Sequence, residues 1–305
     1  MPTKNALLRC ASLLLALVTL WCGLAQRAAA ATGKLLLTGG VSSIDGAAGG
    51  GLTPWGLIGT QASEGEWGLS AFVTGLRTGD YRLHGAGVAF AWDERLELSL
   101  ARQDLDTGAT GTALGLPGLH LKQDILGLKW HVFGDAVLQS DRLDPSVAVG
   151  LLVKRLDAGG LAPTLDALGA RRNGVEAYVS ATKLFLAQGI LVNGTLRATQ
   201  ANQNGLLGFG GAAQSRYRIY PEVSLALLLN RRLAVGAEWR AKPDNLNPSA
   251  LGQGLKEDSW ADLFVAWAPH PQWSVTAAWV DLGHIVAAVQ PHRQRGAYLS
   301  LQAAY

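Results

Sequence analysis

The stretch TGGVSSIDGAAGGGLTPW, Thr38 to Trp55, holds six glycines, two alanines and one acid. Glycine-rich loops cradle phosphates when their N–H groups converge and a Lys-Ser/Thr pair follows. Here GAAGGG runs into Leu52, Thr53 and Pro54, and no G-x-G-x-x-G opens a strand–helix unit, so nucleotide chemistry is set aside. A plain linker needs less pattern than Ile44, Asp45 and the stiff Pro54-Trp55 ending supply. What remains is a backbone that passes close to another surface, where only Gly and Ala fit. Asp45, Gly46, Gly49, Gly50 and Gly51 are read as an external hairpin loop or an inward plug. Phe209, in the second glycine-rich run NQNGLLGFGG (Asn202 to Gly211), is read as a further plug or constriction.

Other chemistries have weaker footing. The six histidines, His84, His120, His131, His270, His284 and His292, show neither H-x-H nor H-x-x-x-H spacing, so no metal site and no cofactor is expected. Cys10 and Cys22 lie in an apolar N-terminus whose basic n-region (Lys4, Arg9), h-region (Ala11 to Ala25) and small-residue cleavage site read as a secretory signal over residues 1–30. Its removal takes both cysteines, which excludes disulfide and thiolate chemistry from residues 31–305. Of 26 basic and 23 acidic residues, the signal takes Lys4, Arg9 and Arg27, so the remaining charges balance and nothing points to nucleic acid. Ser, His and Asp are present, but no spacing singles out a catalytic residue, and an enzyme is not expected.

The elements that must hold these residues are strands. In RRLAVGAEWRAK, Leu233, Val235, Ala237, Trp239 and Ala241 fall on one face, and Arg232, Ala234, Gly236, Glu238, Arg240 and Lys242 on the other. GAYLSLQAAY and RLELSLARQ alternate in the same way; a helix would mix the two classes. Tight polar turns after Trp92, Ala187, Leu229 and Ala268 alternate with long loops near 104–118, 157–173, 201–216, 243–258 and 283–295. That rhythm, the two-residue period and a chain ending on an aromatic fit a transmembrane antiparallel up-and-down β-barrel. Fourteen strands are expected, including 34–40 and 55–62. Twelve follow if residues 32–54 fold inward as a plug.

Alternation then sorts the side chains. Arg95, Glu97, Lys129, His131, Lys154, Glu176, Arg197, Glu222, Glu238, Arg240 and Asp262 are expected to line the lumen. They would either conduct small solutes or pair into a filling network, and the pattern alone does not choose. An aromatic girdle is expected from Trp92, Trp130, Trp239, Trp260, Trp267, Trp273, Trp279 and Tyr305, with Tyr81, Tyr220 and Phe185 near strand ends.

KLLLTGGVSSIDGAAGGGLTPW, ATKLFLAQGILVNGTLRATQANQNGLLGFGG, RRLAVGAEWRAKPDNL, KEDSWADLFVAW and YLSLQAAY resemble an uncharacterised proteobacterial family of outer-membrane barrels, known as a domain of unknown function. The resemblance runs the length of residues 31–305. It implies an outer-membrane location and no transferable catalytic residue. The expected partners are outer-membrane lipid and lipopolysaccharide, and the barrel assembly machinery through the C-terminal strand. The expected role is a passive channel or uptake barrel for small, possibly hydrophobic solutes, GLLGFGG motivating the hydrophobic option. A structural or interaction barrel with a filled lumen is the alternative, and a lipid or ester hydrolase the more distant one.

Overall fold

The computed structural model describes residues 40–60, 65–136, 144–249 and 252–305. The secretory signal and the expected strand 34–40, Gly40 apart, lie outside the described residues. Twelve antiparallel strands close into a barrel: β3 (Trp67–Arg77), β4 (Arg82–Trp92), β5 (Leu96–Asp106), β6 (His120–Phe133), β7 (Ser146–Asp157), β8 (Asn173–Phe185), β9 (Ile190–Thr199), β10 (Arg218–Asn230), β11 (Leu233–Arg240), β12 (Trp260–His270), β13 (Trp273–Asp281) and β14 (Arg295–Ala304). Each pairs with its neighbour in sequence, and β14 closes on β3 through pairs such as Tyr298 with Leu76 and Leu301 with Val73. Closure leaves no unpaired edge, as a hydrocarbon solvent requires.

The strands turn their apolar sides outward. Val73, Val88, Leu98, Leu100, Leu126, Leu151, Val153, Leu225, Leu263 and Leu299 are large, apolar and exposed, whereas their sequence neighbours are buried. Eleven-residue strands at about 3.3 Å per residue, tilted as in barrels, make a band of roughly 25 Å. On β5, β6 and β7 outward charges begin at Arg102, Asp124 and Arg155, which pair side by side in register, just past Leu100, Leu126 and Val153. They mark the edge of the band nearest the long loops. At the other edge the exposed rings of Trp67, Trp92, Trp130, Trp267, Trp273 and Tyr305 gather around the short turns. Aromatic rings partition to such interfaces.

Residues 40–60 lie inside the barrel. They include a two-residue ladder, β1 (Val41–Ser42) with β2 (Ala48–Gly49), and a reversal at Ile44–Gly46, where Gly46 takes φ +92°. Nearly every residue of the segment is buried. Thr60 packs against Gly68 at the start of β3, beside Tyr305, so the segment leaves at the turn end. The chain rises from that end to mid-barrel and returns. This corrects the strand expected at 55–62 and the count of fourteen. The described part of that segment, residues 55–60, joins no barrel strand: the N–H groups of Gly56 and Gly59 donate to Thr182 and Glu97 of the wall, the Leu57 carbonyl accepts from Lys129, and the Trp55 N–H returns to Ala48 within the inner segment. The loop end is closed over by β9–β10 residues 200–217, which enter as a 3-10 turn at Asn202–Gly205, and by two short helices, α1 (Gly108–Ala113) and α2 (Ala162–Ala167).

The glycines of the plug have steric reasons. A Cβ on Gly50 would lie 2.1 Å from Glu238 Oε1, and one on Gly49 would lie 2.1 Å from the Thr53 carbonyl oxygen. Gly75 of β3 meets nothing within 4 Å. Gly50→Val is therefore expected to lower the temperature at which the folded barrel loses its compact gel mobility, by the equivalent of about 1–3 kcal/mol. Gly75→Val should leave that temperature unchanged.

Candidate functional site

The lumen binds the plug as it would bind a peptide ligand. The Pro54 carbonyl accepts from Thr195 (2.9 Å), Ser180 (3.2 Å) and Asn193 (3.3 Å). Glu97 of β5 accepts from the backbone N–H groups of Ala48 (2.9 Å) and Gly59 (2.8 Å), while Lys129 of β6 donates to the carbonyls of Ala48 (2.6 Å) and Leu57 (3.0 Å). Glu238 of β11 accepts from the Leu52 N–H (2.6 Å) and the Thr53 hydroxyl (2.7 Å). Trp55 is buried beside Leu184, Leu191 and Phe264, and its ring N–H donates to Ser224 (3.1 Å). An irregular backbone at membrane depth survives only where such partners replace water.

At the tip of the plug, Asp45 enters a ring of charges. Five successive strands each supply one: Lys154 from β7, Glu176 from β8, Arg197 from β9, Glu222 from β10 and Arg240 from β11. Asp45 lies 2.9 Å from Lys154, 3.2 Å from Arg240 and 3.5 Å from Arg197. Glu176 pairs with Lys154 (2.7 Å) and Arg197 (3.3 Å), and Glu222 pairs with Arg197 and Arg240. The strand side chains alone leave three cations against two anions, and Asp45 brings the ring to balance. Asn204, from the loop above, donates to Asp45 (2.8 Å) and accepts from Lys154 (2.8 Å) and Arg240 (2.9 Å). The two inward segments, 40–60 and 200–217, thus meet at this ring.

Above the ring the lumen changes character. An apolar cavity of about 70 Å³ is walled by Leu76, Leu83, Leu105, Leu121 and Val280 of the strands and by Leu206, Leu207, Leu282 and Ile285 of the loops; the plug supplies Ile44 and Leu52. A few polar groups reach it, among them Trp260, Asp262 and Gln203. Gln203 is held by a clamp just beyond the strands, where Lys242 donates to its side-chain oxygen (2.6 Å) and Glu257 accepts its backbone N–H (2.9 Å). Lys242 also lies 3.4 Å from Glu257 and 4.6 Å from the centre of the Trp260 ring. Burial pushes the Glu257 carboxyl up to about 7 against the opposing pull of Lys242. It pushes the Lys242 ammonium down to about 8 against the pull of Glu257. Burial likewise raises Tyr81, under α1, to about 12.

Of the expected lumen residues, Glu97, Lys129, Lys154, Glu176, Arg197, Glu222, Glu238, Arg240 and Asp262 point inward and are buried. His131 is half-buried at the turn end of β6. Arg95 is corrected: its side chain is 70% exposed in the tight turn beside Asp93, because β5 begins one residue later and alternation does not extend into the turn. Trp260 is also corrected, from the girdle to the cavity wall. It shares parity with inward-facing Asp262 and Phe264 on β12, so it shares their face. Tyr81 is buried in the core and not at the lipid surface. The remaining girdle residues, Trp92, Trp130, Trp239, Trp267, Trp273, Trp279 and Tyr305, are exposed. Asp45, Gly46, Gly49, Gly50 and Gly51 lie in the buried inner segment. Phe209 packs against Gly174 of β8 and braces its loop without entering the cavity wall. Alternation in RRLAVGAEWRAK carries through to Lys242, on the face of Glu238 and Arg240, although β11 ends at Arg240; it did not find Glu257 and Gln203, which sit in loops where no period applies. Among the described residues no group of three or more His, Cys, Asp or Glu is placed to hold a metal ion.

The family described as a protein of unknown function (DUF3034) matches residues 38–302. No curated protein matches the chain. Among solved structures, the NanC porin is similar at 8% identity with a TM-score of 0.50, covering 77% of this chain and 98% of that one. The KdgM porin is similar at 7% identity and a TM-score of 0.48, covering 77% and 99%. The Acinetobacter baumannii outer membrane protein Omp33 is similar at 10% identity and a TM-score of 0.40, covering 79% and 99%. At such identities the likeness is one of fold.

Asp45→Asn leaves the ring with an uncompensated buried positive charge. It is expected to weaken plug docking by about 3–5 kcal/mol, seen as faster hydrogen exchange at the amides of Ala48 and Gly59. Adding Lys154→Met restores the balance and should recover much of the protection; equal exchange in the single and double variants would count against charge balance as the cause.

Proposed function

The chain belongs to this family of unknown function, and we propose that it is an outer-membrane uptake barrel for small apolar solutes, with residues 40–60 as its gate. One observation carries the reading: the cavity at the loop end is lined with leucine and isoleucine, and the plug forms part of its wall. A conduit for hydrophilic solutes gains nothing from such a wall, because each polar solute would be stripped of water there. An apolar solute gains about 25 cal/mol for each Å² it removes from water. It would enter between the loops, settle against Ile44 and Leu52, and pass toward the turn end when the plug yields. In this arrangement the loops face lipopolysaccharide, and β14, with Tyr305 directly after it, is the strand presented to the assembly machinery.

A filled structural barrel is the second reading, favoured by the near-complete hydrogen bonding of the plug. Ion conductance and solute uptake separate the two. The refolded barrel in a planar bilayer should pass little ion current, and a variant lacking residues 41–51 should conduct strongly. Vesicles carrying the complete barrel should take up a small hydrocarbon faster than empty vesicles. No acceleration of uptake, together with a deletion variant that stays silent, would leave the filled barrel as the better account.

A further inference from the structure

Three buried polar groups in the apolar cavity have no partner among the described residues: the indole N–H of Trp260, at 4% exposure, Oδ1 of Asp262, at 7%, and the hydroxyl of Tyr298 on β14, at 5%. Trp260 and Asp262 stand two residues apart on the inward face of β12. Orphaned buried groups are rare and costly, more so for a carboxyl group. Asp262 lies in register with Glu238 of β11, but Glu238 spends its oxygens on Leu52, Thr53 and Ser224 and offers Asp262 no counter-charge. The two inward cations at this end of β11 are engaged elsewhere: Arg240 with Asp45, Glu222 and Asn204, and Lys242 with Glu257, Gln203 and the face of the Trp260 ring.

Trp260 and Asp262 have complementary needs, since an indole N–H can only donate and Oδ1 of the carboxyl offers lone pairs that can accept. A hydroxyl satisfies both, accepting from Trp260 and donating to Asp262. An ammonium could serve Asp262 alone, and a carboxylate ligand could serve Trp260 alone while facing Asp262. The apolar walls set the remainder of the ligand. About 70 Å³ of space, at 10–15 Å³ per water-sized group, takes roughly five such groups. Resting on the uptake reading above, we infer that the cavity is a site for short apolar alcohols, with the hydroxyl seated between Trp260 and Asp262 and the alkyl chain against Ile44, Leu52 and Leu206.

Ligand-observed NMR on the detergent-folded barrel, with empty micelles subtracted, can rank 1-pentanol, pentylamine and n-pentane. The expected result is 1-pentanol bound about tenfold more tightly than either of the others, the worth of a hydrogen-bonded hydroxyl in an apolar site. Asp262→Leu and Trp260→Phe, each checked for folding by heat-dependent gel mobility, should bring 1-pentanol down to the level of n-pentane. The ranking on the unmodified barrel stands without any variant. Equal binding of 1-pentanol and n-pentane would overturn the hydroxyl assignment and leave the apolar uptake site in place. Tightest binding by pentylamine would overturn it in favour of a cation site at Asp262. Binding of none of the three would remove both readings.

Discussion

The balance of charge around Asp45 is the constraint on which the lumen depends. Lys154, Arg197 and Arg240 are buried in the barrel interior, and the wall carboxylates that pair with them among the described residues are Glu176 and Glu222. An unmatched cation there would be expensive, and the third carboxylate arrives from a different part of the chain. The ring is therefore electrostatically complete only with the plug in place. The plug in turn has no hydrogen-bonded sheet of its own beyond a two-residue ladder, so it is ordered only with the wall around it.

That mutual dependence divides the lumen into two environments. From the turn end to the ring, side chains bond to the backbone of residues 40–60 almost group by group, with an apolar cluster around Trp55, Leu184, Leu191 and Phe264 packed among them. Beyond the ring the walls become leucine and isoleucine, and the two inward segments meet through Asn204 at the boundary. A plug held this way resists displacement, because moving it would separate several charged pairs together, whereas the pairs left on β7 to β11 could still partly satisfy one another.

Strand identity was readable because a barrel in lipid imposes one rule on every strand: apolar groups outward at every second position, with polar groups tolerated only on the inward face. Leu98, Leu100 and Leu126 obey it on the outside, and Glu97, Lys129, Lys154 and Glu238 on the inside. The rule stops where strands stop. Arg95 lies one residue before β5 and turns to solvent, and Trp260, read by its residue type and not by its parity, belongs on the cavity wall. Lys242 continues the inward face of β11, but Gln203 and Glu257 carry no periodic signal, so their clamp emerges only when loops from β9–β10 and β11–β12 come together.

By itself the sequence determined the class of fold, the twelve wall strands to within a few residues, and the inward position of nine buried polar side chains, because these follow from local alternation against lipid. It also determined that the stretch from Thr38 to Trp55 needed glycine for a close approach. What the stretch approaches was decided by the tertiary structure. The contacts of Gly50 with Glu238 and of Asp45 with Arg240 span 188 and 195 residues. Whether a hairpin stands outside or folds within depends on such long-range partners, and no local pattern encodes them.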